Sequence, residues 1–361
     1  MEKLIVKWIQ HSGGEWTISR LKKMRNLVTR YICGIPFMVN SDMIAVDRSG
    51  FPKSLSFLKD FVDSGDINKL RFVMTLLQYS RTMEGHGKVD LSSITNPFKG
   101  KIKTIDPIFI RNFVKDFDLE ICTEPFSWRS IFFTFKGGVY GKQLWTAIES
   151  LKDWTGPMFS AARLLGSTSV DIIFQLRLIL SPFLVNRKLS SVKTKEWLSN
   201  LDFNRGQPSI IDLVETDRPT INGLRPLRKL CIVSDPELKE RVICIFDYFS
   251  QAILESLSKE LFRLLRTKLK QDRTFTQDPI IKNKKDPESK YYSFDLSSAT
   301  DRFPVEIQRD LLCELQLGNR PYADAWVTFM TKQLTVDHNG KPITYSVGQP
   351  MGARSSWSMF T

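Results

Sequence analysis

Two closely spaced aspartates, Asp295 and Asp301, lie in the run KYYSFDLSSATDRFP from Lys290 to Pro304, and they are the residues best suited to chemistry. A carboxylate at a strand end costs solvation unless a cation sits beside it, so the pair fits a divalent metal next to a phosphate or hydroxyl. The plainer alternative makes Asp301 a helix N-terminal acid, favoured by capping and by the helix dipole. A second group consists of cations: Arg225, Arg228 and Lys229 precede the turn Asp235-Pro236, and Lys239 and Arg241 follow it. Set between apolar strands, such a cluster repels itself unless an anion is near, and a triphosphate or RNA backbone is a suitable one. Solvation by water is the competing account. The third group is GQPMGARSSW, where Gly348, Gln349 and Gly352 make a flexible loop running into Ser355 and Ser356. Small residues there admit a nucleic-acid backbone or a ribose, unless the segment is an ordinary loop and helix start.

These groups need elements to hold them. Tyr292, Phe294 and Leu296 alternate, so the period predicts a half-buried strand with Asp295 on its opposite face, near the C-terminal end where open α/β sheets place chemistry. Ser297 and Ser298 turn the chain. Pro304 suits the first turn of a helix with Ile307, Leu311 and Leu315 on its apolar face, ended by Gly318. Around the cations, Leu230–Val233 and Val242–Phe246 read as strands, and a helix from Asp247 carries Phe249, Ile253, Leu257, Leu261 and Leu264. Asn339-Gly340 predicts a hairpin between Leu334–Val336 and Ile343–Tyr345, with Pro342 on an edge. Upstream, Trp16–Ile32 reads as an amphipathic helix with a basic outer face. Leu70–Arg81 reads as a helix apolar on Phe72, Leu76 and Leu77, and further helices are expected over Trp145–Leu165 and Val170–Leu184. The glycines of FKGGVYGKQ lack the spacing and the Lys-Ser/Thr ending of a phosphate-binding loop.

Composition narrows the partners. Among 361 residues, 52 Lys and Arg stand against 39 Asp and Glu, and the net charge of +13 favours a polyanionic partner. The five cysteines are scattered and form no CxxC pair, which points to a reducing compartment and no zinc site. His11, His86 and His338 lie far apart and support no histidine-centred mechanism. The most apolar run, Val170 to Val185, is broken by Asp171, Gln175, Arg177 and Pro182, so no membrane span is expected. The start, MEKLIVKWIQ, carries no apolar signal core, so nothing marks the chain as secreted.

The order of these motifs, RKLCIVSDPELKERVICIFDYFSQ, then DLSSATDRFP, then GQPMG followed by SSW, resembles the RNA-dependent RNA polymerases of the mitoviruses, in the narnavirus and levivirus-like branch. RLKKMRNLVTRYICG, DRSGFPKSLSFLK and RFVMTLLQYSRT resemble the family's N-terminal blocks, so the likeness runs through nearly the whole chain. It implies an α/β fold: part of a right-hand polymerase, with a mainly helical N-terminal and fingers region over 1–215. The basic motif F hairpin and its helix follow over 216–286, and a partial palm with motifs A and B over 287–361. By resemblance, Asp295 is the motif A carboxylate that binds magnesium or manganese. Asp301, with Ser355 and Ser356, recognises the ribose of the incoming nucleotide. Arg228, Lys229, Lys239 and Arg241 hold the triphosphate or RNA, and Gly348, Gln349 and Gly352 form the motif B loop. RNA template and nucleoside triphosphates are the implied partners, and the mitochondrion the implied location. No Gly-Asp-Asp of motif C occurs in the 361 residues, so activity in isolation is not expected. The chain is then part of a longer polymerase, half of a split one completed by a second chain carrying motif C, or a non-catalytic RNA-binding remnant of an integrated viral gene.

Overall fold

Two stretches of helical periodicity build the first of two units. The computed structural model describes residues 1–35, 43–100, 104–123, 134, 136–139, 141–143, 146–147, 150, 153–166, 225–276 and 294–361. Contacts divide them into a unit of residues 1–90 with 232–242, and a unit of residues 91–231 with 243–361. In the first unit α1 (Glu2–Ser12) and α2 (Gly14–Ile32) follow one another across Gly13, whose φ of 83° breaks the helical run. Of Ile18, Leu21, Val28 and Ile32, which the sequence sets at helical spacing, the first three are fully buried in α2 and are joined by Met24, whereas Ile32 is 38% exposed. Met24 and Val28 share a core with Phe51, Leu55 and Val73. The helix expected over Leu70–Arg81 is observed as α3 (Ile67–Leu77), started by the Asp66 carboxylate accepting from the Asn68 amide at 2.8 Å. It buries Val73 and Leu77, whereas Phe72 is 52% exposed, so the inward face is rotated from the expected one.

The second unit includes α4 (Ser92–Thr95), α5 (Pro107–Asp116), α6 (Gly156–Gly166), α7 (Tyr248–Thr267), α8 (Ala299–Arg302), α9 (Val305–Leu315), α10 (Arg320–Thr331) and α11 (Ser356–Phe360). A four-stranded sheet runs in the order β2-β1-β3-β4, with β1 Arg228–Asp235, β2 Lys239–Phe246, β3 Thr335–Val336 and β4 Pro342–Ile343. β1 and β3 are parallel, with Arg228 opposite Thr335, and β3 and β4 are antiparallel, with Val336 opposite Pro342. The Asn339-Gly340 turn closes as expected: Gly340 adopts φ 83°, and the Asp337 carboxylate accepts from the Asn339 and Lys341 amides at 2.8 Å. Pro342 lies on the sheet edge, where its missing N–H breaks no ladder bond. Trp326, Phe329 and Met330 of α10 are fully buried, and the Trp154 ring packs edge-on against Phe329 at 6.1 Å between centroids.

Three expectations change. The long helix expected over Trp145–Leu165 is interrupted at Asp153–Thr155, and α6 starts anew at Gly156-Pro157, where a proline is tolerated in the first helical turn. α9 turns Val305, Gln308, Leu312 and Leu315 inward, in place of Ile307 and Leu311. Residues 294–296 are not strand: Phe294 is 87% and Leu296 59% exposed, so no buried face forces the alternation into a sheet. Tyr292, the helix expected over Val170–Leu184, the apolar run to Val185, and the boundaries at 215/216 and 286/287 lie outside the described residues. No helix among the described residues is long and apolar enough to cross a membrane.

Candidate active site

The turn that carries the aspartates is built from backbone hydrogen bonds. Ser298, at φ 50° and ψ 43°, takes a left-handed conformation and starts α8, which ends at Arg302. Asp295 precedes it as an exposed carboxylate that makes no hydrogen bond or ion pair among the described residues. Asp301 lies on α8 and is half-buried; its Oδ2 accepts from the Ser93 hydroxyl of α4 at 2.7 Å. Burial pushes the Asp301 carboxyl above its ordinary range, against the opposing effects of the Ser93 bond and the Arg302 charge.

The glycine loop is fastened to this turn. The Gly348 amide donates to the Asp301 carbonyl at 2.9 Å, and the Gln349 amide to the Thr300 carbonyl at 3.0 Å. A Cβ on Gly348 would stand 2.2 Å from the Thr300 carbonyl oxygen, so only glycine permits the approach. Gly352, at φ 124°, lies as close to the Cys244 carbonyl, where a Cβ would come within 2.4 Å. Beyond it, Gln251 of α7 donates to the Gly352 carbonyl at 2.9 Å and accepts from the Arg354 amide at 3.0 Å, while the Arg354 guanidinium pairs with Glu255. The small residues expected to admit nucleic acid therefore admit the protein's own backbone.

Four of the predicted side chains are committed to the fold. Gln349 is fully buried, and its Nε2 donates to the Gln308 side chain and to the Ser356 carbonyl. Ser355 is fully buried and accepts from Trp326 Nε1 at 3.0 Å; Ser356 is buried beside it. Neither serine supplies the hydrogen bond to the Asp301 carboxylate. The fourth is Arg228, fully buried with its guanidinium 4.0 Å from the Phe246 ring centroid. Its Nη1 donates to the Met330 carbonyl at 2.6 Å and its Nη2 to the Phe329 carbonyl. The last carbonyls of a helix have no partners within it, and Arg228 satisfies two of them at the C-terminal end of α10. Burial lowers its pKa to about 10. The expectation that Arg228 meets phosphate is thus corrected.

The other hairpin cations lie on the open face. On β1, Arg228 and Leu230 point inward and Lys229 is half-buried; on β2, Lys239 and Arg241 are exposed while Cys244 and Phe246 are buried. Arg241 pairs with Asp235 across the turn. The turn residues Glu237 and Leu238 adopt φ of 65° and 61°, a conformation that costs non-glycine residues energy. Contacts within the first unit hold them there. Arg25 of α2 grips the Glu237 carboxylate with both terminal nitrogens, Ser80 donates to it, and Glu240 accepts from the Gly87 amide at 2.9 Å. Of the hairpin's acids, Asp235 offsets Arg241, whereas the Glu237 carboxylate is taken by Arg25 of α2.

No group of three or more His, Cys, Asp or Glu side chains among the described residues is placed to hold a metal. Asp295 could serve as one ligand: magnesium binds by one or two carboxylates with phosphate and water, and this carboxylate is exposed and, among the described residues, unpaired. Sequence reasoning missed Ser93. The available signal was the DLSS of Asp90–Ser93, which repeats the DLSS of Asp295–Ser298.

Comparison with known proteins adds the rest. Over 97% of its length the chain is 26% identical to the RNA-directed RNA polymerase of Cryphonectria parasitica mitovirus 1 (strain American chestnut tree/New Jersey/NB631), and it spans 42% of that protein. No solved structure matches it. Residues 125–361, most of the chain and all of the turn, hairpin and glycine loop described above, match the family described as mitovirus RNA-dependent RNA polymerase, and the chain belongs to that family.

Proposed function

We propose that these residues form the fingers and part of the palm of a right-hand polymerase that copies an RNA template from nucleoside triphosphates in mitochondria. The observation that carries this reading is the backbone seam between the Asp295–Asp301 turn and the Gly348-Gln349 loop, which brings two motifs distant in sequence to one place. Asp295 is the metal-binding carboxylate. Asp301 accepts a hydrogen bond from the ribose 2′-OH, a group that DNA precursors lack. Lys229, Lys239 and Arg241 neutralise triphosphate or template, whereas Arg228 supports the sheet from within. The glycine loop fixes the position of Asp301 through the Gly348 and Gln349 amides. Asp295, with the triphosphate and further carboxylates, would hold magnesium or manganese, which would supply activation of the attacking hydroxyl and compensation of charge on the leaving pyrophosphate. Those further carboxylates come from a continuation of the chain or from a second chain.

A titration of ATP against the 361-residue chain tests this reading. Binding is expected to require magnesium or manganese and to weaken at least about tenfold in Asp295→Asn, a loss typical of a charged ligand. Metal-dependent binding that survives Asp295→Asn overturns the assignment of Asp295. RNA binding that falls steeply with salt, combined with no nucleotide binding, favours the non-catalytic RNA-binding reading supported by the net charge of +13.

A further inference from the structure

The structure assigns Ser93 as a positioning residue for ribose selectivity: it holds the Asp301 carboxylate in the orientation that receives the 2′-OH. This rests on the reading of Asp301 given above and adds a residue distant from it in sequence. A carboxylate turns easily about its terminal bond, so an acceptor meant to distinguish one hydroxyl needs a fixed partner. Asp301 has one in the Ser93 hydroxyl, 2.7 Å from Oδ2. Among the described residues Oδ1 makes no hydrogen bond, and that oxygen remains for the sugar.

The hydroxyl can orient the carboxylate because its own segment is clamped. Arg302, adjacent to Asp301, donates to the carbonyls of Ser93 at 3.4 Å, Asn96 at 2.5 Å and Pro97 at 3.2 Å. From the glycine-loop side, the Ser346 amide and hydroxyl donate to the Ile94 carbonyl at 3.0 Å and 2.9 Å. Ser93 thus sits in a frame tied both to the helix that carries Asp301 and to the bend that leads into Gly348. Ser355 and Ser356, the serines expected to work with Asp301, are buried with other surroundings, which leaves Ser93 as the hydroxyl in place.

The test compares ATP with 2′-deoxy-ATP binding to the full 361-residue chain in manganese. Wild type is expected to prefer ATP by about tenfold, the size of one charge-assisted hydrogen bond. Ser93→Ala reduces the preference to about threefold or less by weakening ATP alone, and Ser93→Thr, which keeps the hydroxyl, retains it. Asp301→Asn abolishes it. If Asp301→Asn leaves the preference intact, the reading of Asp301 fails and the inference falls with it. If Asp301→Asn abolishes the preference and Ser93→Ala does not, only the role of Ser93 is overturned. Equal weakening of both nucleotides by Ser93→Ala reveals a merely structural serine, and absence of nucleotide binding by wild type overturns both.

Discussion

Replacing Gly348 by alanine tests whether the two motifs are held together by backbone contact. The added Cβ would lie 2.2 Å from the Thr300 carbonyl oxygen and 2.5 Å and 2.6 Å from the Asp301 carbonyl carbon and oxygen. Ordinary contact begins near 3.4 Å, so the loop must retreat by about 1 Å, and both carbonyls belong to a helix that cannot swing aside as a side chain would. That retreat stretches the bonds from the Gly348 and Gln349 amides, now 2.9 Å and 3.0 Å, beyond useful length. Two such bonds contribute about 1–3 kcal/mol, and residual crowding costs a further ~1–3 kcal/mol. A total of about 2–6 kcal/mol lowers the urea midpoint by about 0.7–2 M at a slope near 3 kcal/mol/M. Tryptophan fluorescence during urea unfolding reads this directly. Gly156→Ala is the control, since nothing lies within 4 Å of its Cβ, and its midpoint is expected to stay within about 0.3 M of wild type. A Gly348→Ala midpoint indistinguishable from that control refutes the reasoning.

Other consequences are as concrete. Arg228→Leu leaves the Phe329 and Met330 carbonyls unpaired in the core and is expected to cost about 2–5 kcal/mol in urea unfolding; the slope of RNA affinity against salt stays unchanged, whereas Lys239→Ala reduces it by about 0.7. Arg25→Glu frees the hairpin tip and speeds tryptic cleavage at Lys239 and Arg241, and the exchange Arg25→Glu with Glu237→Arg restores resistance. The hydrogen bonds from Arg25 hold the Glu237 carboxyl below its ordinary value of 4.5, so the contribution of this pair to urea resistance is full above that pH and declines as pH falls through the depressed value. Asp301 behaves oppositely: its folded pKa lies above the ordinary 3.8, so its burial costs stability as pH rises through the folded value. Asp301→Asn is therefore expected to be more resistant to urea than wild type at pH 7, with the difference closing below about pH 4.

Much of the scaffold was legible because burial and periodicity agree. α2 presents Ile18, Leu21, Met24 and Val28 in a stripe, and Asn339-Gly340 admits few turns other than the one observed. The site was read less well, for identifiable reasons. Arg228 was grouped with its charged neighbours, although a strand alternates faces and Arg228 shares its face with Leu230, not with Lys229. The glycines at 348 and 352 suit either room for a ligand or an ordinary loop and helix start. Glycine reports only that something comes close, and here it is a carbonyl of the chain itself. Residues 294–296 alternate like a strand, but with Phe294 exposed nothing rewards the pattern. The acids of the hairpin matter as much as its cations: Asp235 pairs with Arg241, and Glu237 is held by Arg25 of α2.

The most direct trial of the central claim is template-directed incorporation. A polypeptide containing these 361 residues together with a Gly-Asp-Asp segment, joined or added separately, is given an RNA template, labelled nucleoside triphosphates and magnesium. The account predicts labelled product that matches the template and disappears in Asp295→Asn, with the mutant folded as judged by its urea midpoint. Undiminished synthesis by Asp295→Asn would contradict it.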